Sequence, residues 1–497
     1  MRSMFSRQLF LQSARHLPIV ALCSVAIGSW LCVAAAPVNA QSASPPEGFT
    51  ALINGSDLSG WYGWGTRDPQ ELWDMTPEQQ AEYKRASIEG GLLNAKGEPD
   101  NQQISAHWHV ENGELVNDGK GLYLTTDKDY GDFELMLEYK ALPLGDSGVY
   151  LRGTPQIQIW DPAQADPSGL GRALGSGGLW NNRKGSPGKD PLKKMDKPLG
   201  EWNQMQVTMI GELVTVVLNG ETVVDYAPLE NFFANRKKGY LAYLKPADGE
   251  AGKDEPKLPN GYMIDPVYPK GPIQLQTHGS EIRWRNVFIR EIGFEEADKR
   301  LAKRSGDGFV ELINGRDLSN WAGDVDSYEV VDGAIVCRKG KHGNLLTPDE
   351  YTDFILRCEF KLPPAGNNGL ALRMPEKGNA AGEGLELQVI DNDGYNAAHP
   401  KAPLQPYQYH GSLYHCVGAK HGYLRPVGEW NYQEVEVRGQ KIKVTLNGTK
   451  ILDVDIDQFD RSQIEHPPAG LDRRSGRIGF AGHNDPVAFR SLQVKRL

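Results

Sequence analysis

Three patterns in this 497-residue sequence predict an all-β chain of two tandem antiparallel β-sandwich domains. A long string near the start returns 260 residues later, apolar and polar residues alternate with a period of two, and 56 Gly with 32 Pro supply frequent turns. The length itself exceeds what one compact core holds and suits two domains.

The repeat begins with Phe49-Thr50-Ala51-Leu52-Ile53-Asn54-Gly55-Ser56-Asp57-Leu58-Ser59-Gly60-Trp61, which returns as Phe309-Val310-Glu311-Leu312-Ile313-Asn314-Gly315-Arg316-Asp317-Leu318-Ser319-Asn320-Trp321. Tyr130-Gly131-Asp132-Phe133 then matches Tyr351-Thr352-Asp353-Phe354, and Asp146-Ser147-Gly148-Val149-Tyr150-Leu151-Arg152 matches Asn367-Asn368-Gly369-Leu370-Ala371-Leu372-Arg373. Gly200-Glu201-Trp202-Asn203 and Leu218-Asn219-Gly220 return as Gly428-Glu429-Trp430-Asn431 and Leu446-Asn447-Gly448. The order is kept, so a whole domain was duplicated. The expected boundaries are a leader at 1–40, a first sandwich at 46–293, a charged and partly helical linker at 294–306, and a second sandwich at 307–497.

Within each unit the alternation is regular. Phe133, Leu135, Leu137 and Tyr139 are separated by Glu134, Met136, Glu138 and Lys140, and Phe354, Leu356, Cys358 and Phe360 by Ile355, Arg357, Glu359 and Lys361. This is the mark of a strand with one buried face. A short helical insertion in the first unit lies between about Tyr62 and Ser105. There Thr76-Pro77-Glu78-Gln79 reads as N-cap, N1 proline and capping box, and Gly90-Gly91 ends the helix. A second insertion spans Lys245–Lys270, and the second unit carries its long loop at Asp391–Val427. Trp202 and Trp430 are expected as core anchors.

Arg2, Arg7 and Arg15, the apolar run Leu17–Ala36, and Val38-Asn39-Ala40 form a secretory leader, with an uncleaved anchor as the alternative. The chain is therefore expected outside the cytoplasm, periplasmic or secreted to the cell surface, with no membrane span in the mature part. The formal charge of −10 without a basic block argues against nucleic acid as a partner. Past the leader Cys337, Cys358 and Cys416 remain, an odd number that leaves at least one free thiol. A Cys337–Cys358 bridge and buried thiols are both open.

Candidate site residues follow from strand alternation. In Leu385-Glu386-Leu387-Gln388-Val389-Ile390-Asp391 the apolar residues face the core, and Glu386 with Gln388 faces the other way, with Asp391 at the strand end. A carboxylate pair of this kind, Glu386 with Asp391, is the usual acid/base equipment of glycan-cleaving proteins. The bland reading is a polar face on an exposed strand. The first unit has Gln156-Ile157-Gln158-Ile159-Trp160-Asp161, where Gln156 replaces the glutamate and cannot exchange a proton near neutrality. Arg152 and Arg373 either grip a sugar oxygen or hold Asp161 and Asp391 in ion pairs. His278 and His483 occupy matching places and suit proton transfer, or are structural. Trp180 and Tyr414 follow flexible glycines as platforms for sugar rings. His399, His410, His415 and His421 match no established metal-ligand spacing. No cofactor is predicted, and a divalent metal stays an open alternative.

Taken together, these strings resemble the three-keto-disaccharide hydrolase family. The Leu-Ile-Asn-Gly-x-Asp-Leu-Ser-x-Trp opening, the Gly-Asp-Phe strand, Ser147–Arg152, the Gly-Glu-Trp-Asn step, the Leu-Asn-Gly hairpin and Gly271-Pro272-Ile273-Gln274-Leu275-Gln276-Thr277-His278-Gly279 carry the resemblance across both units. It implies a concanavalin-A-like lectin/glucanase jelly roll and cleavage of glycosides already oxidised to a ketone at carbon 3. In that scheme Glu386 or His483 is the base, Arg373 stabilises the oxyanion, and Asp391 orients or protonates. Gln388, Tyr414, Arg152, Gln158, Asp161, Trp180 and His278 bind substrate. The alternatives are a carbohydrate-binding protein without catalysis and a structural sandwich at the cell surface.

Overall fold

Period-two alternation becomes the central strand of a large sheet in each copy. Phe133–Ala141 and Phe354–Lys361 each bury every second side chain. The computed structural model describes residues 43–94, 96–236, 260–261 and 263–497; the leader at 1–40 and most of the Lys245–Lys270 insertion lie outside the described residues. Across the first large sheet the order is Glu221–Pro228, Leu213–Leu218, Asn203–Ile210, Phe133–Ala141, Ile282–Glu291, Glu114–Asn117 and Trp108–Glu111, with Thr50–Ala51 also on Ile282–Glu291. The second copy repeats this with Thr449–Asp455, Lys441–Leu446, Trp430–Arg438, Phe354–Lys361, Ala488–Arg496, Ala334–Cys337 and Tyr328–Val331.

A five-stranded sheet packs on each large one. The first runs Trp61–Trp64, Tyr123–Thr126, Gln274–Leu275, Asp146–Leu151, Thr154–Trp160, and the second Ala322–Gly323, His342–Tyr351, Gly476–His483, Asn367–Met374, Leu385–Ile390. The inner faces interdigitate: Leu135, Val207, Val149 and Ile157 in one core, Leu356, Val435, Leu370 and Leu387 in the other. Each such side chain, fully buried, contributes about 1.5–3 kcal/mol. The chain is thus all-β and built as two tandem sandwiches, with a minor helical insertion.

That insertion starts later than the sequence suggests, because Trp61–Trp64 is a strand of the small sheet. Its main helix, Pro77–Glu89, has Thr76 as N-cap with the full capping box, and Gly90 ends it. Trp202 and Trp430 are not core anchors. Both stand half-buried, with Arg285 (4.2 Å) and Lys140 (4.5 Å) over the first ring, and Arg490 (4.1 Å) and Lys361 (4.8 Å) over the second. Cys337, Cys358 and Cys416 are all free thiols, which burial pushes up to about 11, 12 and 12.

The segment expected as a linker is a structural element. Helix Phe294–Arg304 places Ala297 and Leu301 against Ile210 and Leu213 of the first sandwich and Tyr432 of the second. Asp298 on this helix accepts both guanidinium ends of Arg425, at 2.6 and 2.8 Å, and Arg425 also donates to the Trp430 carbonyl. Beside it the hairpin turns of the two copies meet backbone to backbone. A Cβ on Gly211 (φ +57°) would fall 2.2 Å from the Gly448 carbonyl carbon.

Candidate active site

The outer face of the second small sheet is floored by residues without bulk. Gly369, Ala371, Gly479 and Ala481 share that face on adjacent strands, register-paired as Gly369 with Ala481 and Ala371 with Gly479. Across them lies Glu386, opposite Ala371 on the neighbouring strand. A Cβ at Gly369 would sit 2.3 Å from Glu386 Oε1, so the glycine makes room for the carboxylate. Glu386 is buried to 4 % exposure, and its Oε1 lies 3.2 Å from Nε2 of His483, whose side chain stays 43 % exposed.

This contact sets the imidazole's chemistry. A carboxylate only accepts, so Nε2 carries the proton and Nδ1 keeps a lone pair. The hydrogen bond to Glu386 raises the proton affinity of His483 above its ordinary value; burial opposes this, and the charges of Glu386 and Asp485 add to it. Gln388, on the same face as Glu386, donates to Asn367 Oδ1 at 2.8 Å, while its own Oε1 is buried without a partner. Beyond the strand, Tyr414 donates its backbone N–H to the Glu386 carbonyl. Its ring touches Tyr407 (5.7 Å) and His415 (4.3 Å), and His415 meets His466 at 5.7 Å, forming an aromatic rim.

Four of the expected residues therefore come together: Glu386, His483, Gln388 and Tyr414. Arg373 does not. Its backbone turns into the left-handed region (φ +52°), which sends the guanidinium under the sheet to Gln440 Oε1 (2.5 Å) and the Gly439 carbonyl (2.5 Å). The Gly439 N–H is in turn held by Asp353 at 2.7 Å. Arg152 (φ +51°) does the same in the first copy. It donates to Asp132 (2.8 Å) and to the Gly131 and Tyr268 carbonyls, and Asp132 accepts the Gly211 N–H. Neither arginine stands on the outer face of its small sheet or pairs with Asp391 or Asp161; together with Asp132 or Asp353, each ties a hairpin turn to the strand that opens with the Gly-Asp-Phe or Thr-Asp-Phe step.

Asp391 and Asp161 likewise do not join the site expected of them; both carboxylates are engaged by backbone N–H groups. Asp391 caps helix Asn392–Ala398 through the Gly394 N–H (3.1 Å) and holds the Ala365 N–H (2.8 Å). Asp161 holds the N–H groups of Leu144 (3.1 Å) and Ala163 (2.8 Å). Both fix the loop entering the preceding strand, where Leu144 and Ala365 adopt positive φ. Arg152 and Asp391 also line a cavity of about 870 Å³ between the sandwiches, away from Glu386 and His483.

In the first copy His278 is exposed, and its Nδ1 lies 3.4 Å from Asp146 Oδ2. Gln158 donates to Asp146 Oδ1 at 2.8 Å. Trp180 is half-buried, edge-on to Trp160 (5.2 Å), with the Lys189 ammonium 3.7 Å above its ring, so one face of this platform is already taken. Asp146 and Asn367, the rim residue His466, and Arg172 were not singled out from sequence, and His415 was weighed there only as a metal ligand. Strand pairing sets Asp146 opposite Trp160 at the strand start, a position that from sequence reads as turn chemistry.

The histidines of the second loop do not converge. His410 is buried against Phe360 with Nε2 on Gln433, and burial pushes it down to about 4. His399 stacks on Tyr395 and His421 on Tyr409. Among the described residues no three His, Cys, Asp or Glu side chains are grouped to hold a metal ion, and no helix is long and apolar enough to cross a membrane.

With an acid and an imidazole on the outer face of its smaller sheet, the chain falls, by its relatives, in a carbohydrate-active, glycoside-hydrolase-like class of protein. Within it, the chain belongs to the 3-keto-α-glucoside-1,2-lyase-like domain family, whose profile matches residues 48–290 and 308–495. A 3-keto-disaccharide hydrolase from Bacteroides thetaiotaomicron is 26 % identical over 252 residues, covering 42 % of this chain and 86 % of the relative. Among solved structures, a protein from Parabacteroides distasonis provisionally named a glycosyl hydrolase is 25 % identical over 39 % of this chain and 96 % of its own, with a TM-score of 0.36. A carbohydrate-binding module from Bacillus subtilis is 15 % identical over 38 % of this chain and 95 % of its own, with a TM-score of 0.24.

Proposed function

We propose that this is an exported enzyme cleaving 3-keto-glycosides, with the second small sheet as its working face. The carrying observation is the buried Glu386 carboxylate bonded to the outward imidazole of His483 over Gly369. The leader-like first forty residues support export, and the family and the Bacteroides relative support the substrate class.

The geometry supports the following chemistry. A ketone at carbon 3 acidifies the hydrogen on carbon 2, which His483 Nδ1 is free to take. The pair from that C–H bond moves to the ketone oxygen as an enolate. The Asn367 amide, whose oxygen is engaged by Gln388, has its nitrogen left for a sugar oxygen. When the ketone re-forms, a double bond arises between carbons 1 and 2, the glycosidic C–O bond breaks, and the imidazolium returns its proton to the departing oxygen. Water then adds, for net hydrolysis. Glu386 acts through His483 as a positioning residue, and Tyr414 with Tyr407 borders the sugar.

The direct experiment offers the purified full-length chain 3-keto-trehalose and unoxidised trehalose, and follows glucose release. Release from the ketone alone is expected. Binding of both sugars without release would overturn the enzyme reading in favour of a carbohydrate-binding protein. Gly369→Ala supplies a second check. The atoms nearest the new methyl all belong to Glu386, a side chain able to swing away, so folding should survive with a small change in stability. Turnover should fall at least about tenfold as the carboxylate leaves His483. Full activity in this variant would show that Glu386 need not lie across the glycine.

A further inference from the structure

We infer that the outer face of the first small sheet is a second proton-transfer centre for saccharides, built on His278, Asp146 and Arg172. The inference rests on the reaction class proposed above. Its structural basis is a compensating exchange between the copies. Gln156 stands where Glu386 stands and Asn367 where Asp146 stands, so the carboxylate has moved one strand across the sheet while the imidazole stayed in place.

The moved carboxylate is well anchored. Asp146 Oδ2 takes the Arg172 guanidinium at 3.0 Å and faces His278 Nδ1 at 3.4 Å, and Oδ1 takes the Gln158 amide. Burial works to raise this carboxyl, yet His278, Arg172 and Gln158 together hold it below the ordinary carboxylate range. It is therefore a fixed negative charge that orients the imidazole. Asp146 raises the proton affinity of His278, and burial and Arg172 restrain the rise.

Two features distinguish this centre. Its carboxylate faces Nδ1, so that Nε2 is the nitrogen left to act, the reverse of His483. Its floor is bulkier and more polar: Tyr150, Gln274 and Gln276 stand where the second copy has Ala371, Gly479 and Ala481. Gln276 is 6 % exposed, and its Oε1 has no partner beside Gly148, where a sugar hydroxyl would supply a donor. Such a floor suits a small, hydroxyl-rich glycoside.

In the step, His278 Nε2 takes the proton on the carbon beside the ketone, and the bonding pair becomes an enolate. As the ketone re-forms, a double bond arises between carbons 1 and 2, the glycosidic C–O bond breaks, and the proton passes from the imidazolium to the leaving oxygen. Asp146 is a positioning residue.

The test uses the full chain and methyl 3-keto-α-glucoside in deuterium oxide, reading deuterium entry at carbon 2 and methanol release by NMR. In His483→Ala, exchange above the uncatalysed rate should persist. Adding His278→Ala or His278→Gln should remove at least tenfold of it. Adding Asp146→Asn should move the remaining pH profile to lower pH. Equal residual rates with and without His278, in variants whose circular dichroism matches the parent, would overturn the second centre alone. A parent chain inert toward the ketone would overturn both this inference and the enzyme reading.

Discussion

In a chain already carrying His278→Ala, the further change His483→Ala should lower glucose release from 3-keto-trehalose by about two to four orders of magnitude, the range for loss of a general base. The imidazole is the exposed member of its pair, and its Nδ1 is free because Glu386 holds the proton on Nε2. Turnover requires the neutral ring, so the rate should climb with pH through the raised pKa of His483 and then level off. Glu386→Gln should lower the rate too. It also removes the largest cause of the raised pKa, so the rising limb should move to lower pH. A merely structural glutamate would cut the rate and leave the limb where it was. Rates that survive the loss of His483 would exclude it as the base.

The second large effect concerns the joint between the sandwiches. Asp298→Ala leaves the Arg425 guanidinium nearly buried without its counter-charge, and such a loss costs about 3–5 kcal/mol. The Phe294 ring, 4.5 Å from that guanidinium, offsets little of this. Denaturant unfolding of the parent and the variant measures the difference. Replacing both partners by apolar residues, as in Asp298→Leu with Arg425→Met, should cost much less, because no lone charge stays inside. A single-variant loss below about 1 kcal/mol would mean that the helix is held by Ala297 and Leu301 alone.

Sheet architecture was legible because period-two alternation is a local signal, and Phe133–Ala141 carries it without interruption. The capping box at Thr76 was legible for the same reason, since its partners lie three residues apart. The site was half legible. Alternation alone set Glu386 and Gln388 on the face away from the core. Glu386 and His483, however, are 97 residues apart and meet only through strand pairing. Arg373 was misread because a strand pattern assumes extended backbone, and one positive φ reversed its side chain. Asp391 was misread although Gly394, three residues on, is the partner an N-cap requires. Asp146 went unnoticed because its value appears only in the paired exchange with Gln156.

The segment Gly411–Leu413 has a bearing on solubility. Leu385–Ile390 would otherwise finish its sheet as a bare margin of N–H and C=O groups. Instead Gln388 exchanges backbone hydrogen bonds with Gly411 and Ser412, and the Glu386 carbonyl takes the N–H of Tyr414. In the first copy Gly177, Gly178 and Trp180 cover Gln156 and Gln158 in the same manner. At these two margins the covering segment takes up the backbone groups that a neighbouring molecule would otherwise pair with, which weakens the template for strand-by-strand aggregation beside the groove.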